Sequence, residues 1–218
     1  MRKIMVANPK GGCGKSTVSI HLASWFARCD EVVYLGDLDR QQSSRQWAER
    51  RPGSLAPIRY WDTSIDALCD PPEHCSIAIL DTPAGLHGKP LKQLLGEVDK
   101  VVVPVSPSVF DMSASGDFFE ELAQMKAIRK ERVGVAIVGM RVDPRTHATQ
   151  RLVEFLKQFG LPLVTCIRDL QRYVQAVETG VTLFDTDERT AQADREQWKP
   201  LQDWLVVRAH GGARRSTV

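Results

Sequence analysis

The residues best suited to chemistry stand together near the start of the chain, in Asn8-Pro9-Lys10-Gly11-Gly12-Cys13-Gly14-Lys15-Ser16-Thr17. The apolar run Ile4-Met5-Val6-Ala7 precedes them, and an apolar-periodic segment from Val18 to Ala27 follows. Strand, glycine-rich turn and helix in that order are the setting in which a loop wraps phosphate groups. Gly11, Gly12 and Gly14 let backbone N–H groups turn inward without Cβ clashes and line a nest for phosphate oxygens. A helix starting at Ser16 adds unpaired N–H groups and the positive end of its dipole. Lys15 then reaches the β- and γ-phosphates, and the Ser16 hydroxyl ligates Mg²⁺. Cys13 lies near that helix N-terminus, where its thiol pKa would be lowered, but reads best as a small residue at a variable position.

A second acid-bearing segment closes an apolar run, Ser76-Ile77-Ala78-Ile79-Leu80, with Asp81. In a chain with a phosphate loop upstream, such a carboxylate holds Mg²⁺, usually through water. A third, Asp37-Leu38-Asp39-Arg40-Gln41, follows the run Glu31-Val32-Val33-Tyr34-Leu35-Gly36. Guanine-specific loops use an Asn-Lys-x-Asp signature. Asn8 is the only asparagine in the chain and already belongs to the phosphate loop, so ATP is preferred over GTP.

The elements that must position these groups follow from short apolar runs separated by helical periodicity. After the first helix and second strand come a polar helix over 43–51, a brief strand over 58–61, and the strand before Asp81. A helix around 91–95, a strand over 101–105, one long amphipathic helix over 112–130 and a buried strand over 133–138 come next. Helix 146–159, strand 161–167, helix 170–178 and a last helix over 189–207 complete the alternation. The pattern predicts an α/β fold, a doubly wound, mostly parallel sheet with helices on both faces, in which ligands sit beyond the carboxyl ends of the strands. The expectation is a single domain over 1–218, with a basic tail over 209–218. Trp198, Leu201, Trp204 and Leu205 form a stripe at helical spacing that reads as packed on the core rather than on a membrane.

Pro9 stands where the common phosphate loop has its first glycine, and Lys10 adds a second lysine. The resulting Lys-Gly-Gly-x-Gly-Lys-[ST] pattern resembles the deviant Walker A loop of the ParA/MinD ATPases. Asp81-Thr82-Pro83-Ala84-Gly85 is similar to that family's switch II, where Gly85 turns its N–H toward the γ-phosphate. Asp37-Leu38-Asp39-Arg40-Gln41 resembles its switch I, with Arg40 in place of the usual proline. That departure implies a more mobile switch and leaves Arg40 open to phosphate, DNA or a partner. Val102-Val103-Pro104-Val105-Ser106-Pro107 and the segment from Tyr173 to Asp185 look like short ParA proteins, so the likeness spans nearly the whole chain.

The resemblance implies a P-loop NTPase fold and slow ATP hydrolysis with Mg²⁺, with Asp39 orienting or deprotonating the attacking water and Asp37 supporting the metal shell. Lys10 crosses a dimer interface to the partner's nucleotide. The adenine lies near Met140-Arg141 and Ile167-Arg168-Asp169. It implies an ATP-dependent homodimer on non-specific DNA, contacted through Arg172 and more weakly through Arg141, Arg145 and Arg168. A ParB-like or cargo-adaptor protein releases the dimer by stimulating hydrolysis. Such a protein is cytoplasmic, associated with the nucleoid and not with a membrane.

Composition agrees with these expectations. The formal charge is only +2, but residues 126–172 carry ten Lys and Arg against four acids, and residues 40–59 five arginines against Glu49, which suits anion-binding faces. No apolar run is long enough to span a membrane. The five cysteines are odd in number and form no C-x-x-C pair, suiting reduced thiols. Two alternatives share the loop: a MinD-like membrane-associated ATPase and an ATP-dependent biosynthetic ligase of the same fold. An iron–sulfur reductase is excluded, since no cysteine lies between Asp81 and Cys166. The cargo, whether plasmid, chromosome, chemoreceptor cluster or carboxysome, is not written in the residues.

Overall fold

The computed structural model describes residues 1–65, 67–143, 145–187 and 189–207; the expected tail over 209–218 lies outside them. Seven strands, β1 (Arg2–Val6), β2 (Val33–Asp37), β3 (Ile58–Tyr60), β4 (Ile77–Asp81), β5 (Lys100–Val105), β6 (Gly134–Met140) and β7 (Leu163–Ile167), form one sheet in the order β3-β2-β4-β1-β5-β6-β7. Every adjacent pair is parallel. A parallel sheet needs a crossover between successive strands, and everywhere except between β3 and β4, where the described residues form no helix, helices supply it. They are α1 (Lys15–Arg28), α2 (Ser43–Arg50), α3 (Gly88–Glu97), α4 (Val109–Gln124), α5 (Lys126–Arg129), α6 (His147–Lys157) and α7 (Gln171–Thr179). A 3₁₀ turn (Arg189–Ala191), α8 (Gln192–Glu196) and α9 (Lys199–Val206) follow.

Because side chains alternate along a strand, each strand feeds two cores. Met5 joins Leu91 of α3, Phe119 of α4 and Leu152 of α6 on one face. Ile4 and Val6 join Leu22 of α1, Trp47 of α2, Tyr173 of α7 and Leu201 of α9 on the other. The expected terminal stripe is part of this second core: Trp198, Leu201 and Leu205 are fully buried, and Trp204 packs beside them.

Two expected helices are broken. The one over 112–130 divides at Met125, whose extended backbone (φ −64°, ψ 128°) ends α4 and starts α5. After the break, Ala127 and Ile128 pack on the first core. The one over 189–207 becomes the 3₁₀ turn, α8 and α9, with Pro200 in the first turn of α9. Proline has no N–H to continue a preceding helix and is at home at a helix start.

The sheet sets three strand ends level. Asp81 of β4 is in register with Val6 of β1 on one side and with Asp37 of β2 on the other. The loop leaving β1 and both carboxylates therefore arrive at one edge.

Candidate functional site

The loop between β1 and α1 is held from three sides. Gly14 adopts φ +99°, and a Cβ there would lie 3.1 Å from Met140 Cε, so the end of β6 presses directly on the loop. Asn8, buried at the end of β1, donates from Nδ2 to the Pro104 carbonyl (2.8 Å) and toward Ser115 Oγ (3.4 Å). Its Oδ1 accepts from the Lys10 N–H (2.9 Å). From the third side, the Gly85 N–H donates to the Pro9 carbonyl (2.8 Å). Asn8 is a positioning residue that the sequence reading did not find. Its signal is a lone amide abutting an apolar strand, a group that must find partners when buried.

Inside the loop, buried Lys15 donates from Nζ to the Lys10 carbonyl (3.0 Å), and Cys13 Sγ donates to the same oxygen (3.2 Å). Cys13 is buried, as a small filler should be. Gly11 and Gly12 are exposed, Ser16 and Thr17 half-buried at the helix start, and Lys10 half-buried on the outer turn. The helix begins at Lys15, one residue before the expected Ser16.

The carboxylates are arranged differently from one another. Asp37 is buried, and its Oδ2 accepts from the Ser44 N–H (2.9 Å), Ser44 Oγ (2.8 Å) and the Arg45 N–H (3.2 Å), while Oδ1 accepts from the Asp39 N–H (3.0 Å). Those bonds cap the first turn of α2, which has no capping side chain of its own. Asp39 stands half-buried one turn further out, with Oδ1 accepting from the Gln41 N–H (2.9 Å). Arg40 is exposed beside it. Asp81 is 1 % exposed, and its Oδ1 has no hydrogen-bond partner. Burial pushes its carboxyl up to about 7; the Ser16 hydroxyl opposes that shift, and the charge of Asp37 adds to it. A buried, unpartnered carboxylate oxygen beside a serine hydroxyl fits a divalent cation, which would supply the missing positive charge. Among the described residues no three His, Cys, Asp or Glu side chains converge on a metal. Ser16 and Asp81 would therefore hold Mg²⁺ together with phosphate oxygens, as is usual for that ion.

Beyond the loop, the ends of β6 and β7 open into a cleft of about 600 Å³ lined by Arg141, Val142, Asp143, Arg145, Cys166, Arg168, Asp169 and Gln197. Met140 and Ile167, also expected near a base, are buried in the strand ends beneath it. Arg141 is held at φ +56°, which turns the chain sharply at the cleft mouth. Arg141 and Arg145 are exposed, whereas Arg168 is bound through Nε (2.9 Å) and Nη2 to the buried carboxylate of Asp194. Arg172 is not brought to this cleft. It is half-buried on α7 and lines a separate groove of about 430 Å³ with Gln175, Thr179 and Thr186.

Comparison with known proteins accords with this geometry. Residues 4–183 match the CobQ/CobB/MinD/ParA nucleotide binding domain. The chain is 28 % identical over 204 residues to the maintenance of carboxysome distribution protein A of Halothiobacillus neapolitanus, covering 88 % of this chain and 91 % of that one. It is 51 % identical to the chromosome-partitioning ATPase Soj of Thermus thermophilus, over 73 % of this chain and 78 % of the other. Among solved structures, apo McdA of Cyanthece superposes with a TM-score of 0.72 at 14 % identity, covering 95 % of this chain and all of that one, 100 %. A glycine-rich loop with two lysines, two carboxylates level with it and a family match over most of the chain agree: the chain belongs to the CobQ/CobB/MinD/ParA family of nucleotide-binding proteins.

Proposed function

We propose that this chain is a positioning ATPase that dimerises on ATP, holds non-specific DNA as a dimer, and is released when a cargo-bound partner stimulates hydrolysis. The observation that carries the reading is the convergence of the two-lysine loop, Asp37 and Asp81 on three level strand ends. Phosphoryl transfer asks a protein chiefly for positioning and charge neutralisation, and both are built in. Lys15 exchanges the Lys10 carbonyl for phosphate oxygens, and Gly85 exchanges the Pro9 carbonyl for the γ-phosphate. Ser16 and Asp81, with Asp37 behind them, would hold Mg²⁺, which would supply positive charge against the phosphate oxygens. Asp39, in the turn beyond β2, aligns the attacking water.

Lys10 acts on the other subunit. It sits on the outer turn of the loop, and its backbone is fixed by the Asn8 and Lys15 hydrogen bonds. From there its ammonium crosses to the partner's phosphates, as an arginine finger does. DNA is met by Arg172 with Arg141 and Arg145, a phosphate-driven and salt-sensitive contact. Relatives named for carboxysome distribution and chromosome partitioning support the positioning of a cargo, and DNA binding of this kind would place the protein on the nucleoid in the cytoplasm. Among the described residues no helix is long and apolar enough to cross a membrane, and the stripe a surface-bound helix would need is buried in the core.

Sedimentation velocity with ATP·Mg²⁺ or ADP·Mg²⁺, followed by co-pelleting with random-sequence DNA and with anionic liposomes, tests the cycle. A dimer and DNA retention only with ATP are expected. A chain that stays monomeric with ATP, or that pellets with liposomes in place of DNA, would overturn it.

A further inference from the structure

We infer that Asp194 and Gln197, in the short C-terminal segment around α8, are positioning residues for the nucleotide base: they set the Arg168 guanidinium as a flat wall of the cleft beside the phosphate loop. The inference rests on the nucleotide reading above and adds to it a residue set beyond position 183, where the family match ends.

The cleft adjoins the phosphate loop, because Met140 packs on Gly14 and Arg141 follows Met140 into the cleft lining. A nucleotide whose phosphates occupy the loop extends its base toward the ends of β6 and β7. There Arg168 is fixed at both ends of the residue. Its backbone N–H donates to Gln197 Oε1 (3.0 Å), and its guanidinium donates through Nε and Nη2 to Asp194 Oδ1. The anchors are themselves tied down. The Gln197 carbonyl accepts from Thr165 Oγ1 (2.6 Å), and its side-chain amide donates to the Ala193 carbonyl (3.3 Å). The Asp194 side chain is 4 % exposed while that of Arg168 is 50 % exposed and lines the cleft, so the carboxylate is sealed in protein while half of the arginine side chain stays open.

That asymmetry selects the ligand chemistry. A phosphate group is best met by the two-donor edge of a guanidinium, and here the Nε–Nη2 edge is occupied by a carboxylate that also offsets its charge. What remains is a planar, delocalised face, which stacks on aromatic rings. Its rotamer entropy has been lost on folding, so base binding does not have to pay it again. Val142 and Cys166 give the same cleft apolar lining. Arg168 is thereby a base-facing residue, and the DNA contacts are left to Arg141, Arg145 and Arg172.

The test compares ATP with tripolyphosphate, a ligand that has the phosphates and no base, by calorimetric titration of the full-length protein. Asp194→Asn and Arg168→Gln are each expected to weaken ATP by about three- to thirtyfold, the range for losing one stacked cation, with tripolyphosphate unchanged. Arg168→Lys, which keeps the charge and lacks the plane, is expected to behave like Arg168→Gln. Should Asp194→Asn fail to fold, the Arg168 variants, at a half-exposed side chain, carry the test. An equal loss for both ligands would make the cluster merely structural and overturn the inference, as would no loss for ATP. Wild-type protein that bound neither ligand would instead overturn the nucleotide reading itself.

Discussion

Asp37 and Asp81 are register partners on adjacent parallel strands, yet they divide the local hydrogen-bond donors unequally. Asp37 accepts from four donors, three of them at the start of α2, while Asp81 retains a buried oxygen with none. One carboxylate caps the first turn of α2 and the other keeps a buried oxygen without a hydrogen-bond partner.

Asp81 therefore weakens the ligand-free fold. Its folded carboxyl titrates at about 7 against an ordinary 3.8, because it is buried. The folded state then binds more protons than the unfolded one between those values, so stability falls as pH rises through that window. Asp81→Asn is expected to stabilise the ligand-free protein at pH 8 by on the order of 1–3 kcal/mol, with the gain vanishing by pH 4, in urea unfolding at both pH values. The same variant should lose Mg²⁺-dependent nucleotide binding.

Lys15→Ala removes the ammonium inside the loop and is expected to abolish ATP binding. Lys10→Ala leaves intact the Lys10 carbonyl and N–H that hold Lys15 and meet Asn8. Monomer affinity for ATP should stay within about twofold, because a surface side chain away from its own phosphates contributes little, while the ATP-induced dimer disappears. Fluorescent-nucleotide titration and sedimentation velocity separate the two effects.

Arg51 donates to both oxygens of Asp185 (2.9 and 2.6 Å) in a pair whose side chains are both buried. Burial alone would raise the Asp185 carboxyl, but hydrogen bonds from Arg51 and Thr182 outweigh it and hold it below the ordinary value. Arg51→Ala leaves that charge unpaired and should cost about 3–5 kcal/mol. Gly180→Ala adds strain next door, since φ is +73° and a Cβ would meet the Arg50 backbone at 2.7 Å. Urea unfolding checks both.

His21 should make the protein acid-sensitive. Its ring is stacked on Trp198 at 5.1 Å, with Nδ1 bonded to the Thr17 carbonyl (2.7 Å), and burial lowers it from 6.5 to about 4. The neutral ring contributes stability that is full above about 6.5 and is lost as pH falls toward 4. His21→Phe is expected to recover on the order of 2–3 kcal/mol of that loss near pH 4, read from unfolding midpoints at pH 7 and pH 4.

Arg172 is the proposed DNA contact on α7. Arg172→Ala should weaken retention of the ATP-bound dimer on any DNA sequence and reduce the slope of log affinity against log salt by about one. Filter binding across a salt series measures it.

Much of this site was legible because its parts are contiguous. Lys10 to Thr17 and Asp81 to Gly85 are short runs that each stand at the end of one strand, so their grouping can be read from spacing alone. Alternating apolar runs likewise dictated a parallel sheet covered on both faces, because a strand buried on both sides leaves no polar face to read. What only the tertiary structure decided are pairings across long stretches of chain: Asn8 with Pro104, Arg51 with Asp185, Arg168 with Asp194. The break at Met125 belongs with them, since no proline or glycine marks it in the sequence, whereas the one before α9 is marked by Pro200. Asp37 illustrates the difference. Its position beside Asp81 follows from strand order, but its role as the cap of α2 depends on where Ser44 and Arg45 come to rest. A local motif states which groups are present; the low dielectric and close packing of the folded interior decide which of them are satisfied and which are left open for a ligand.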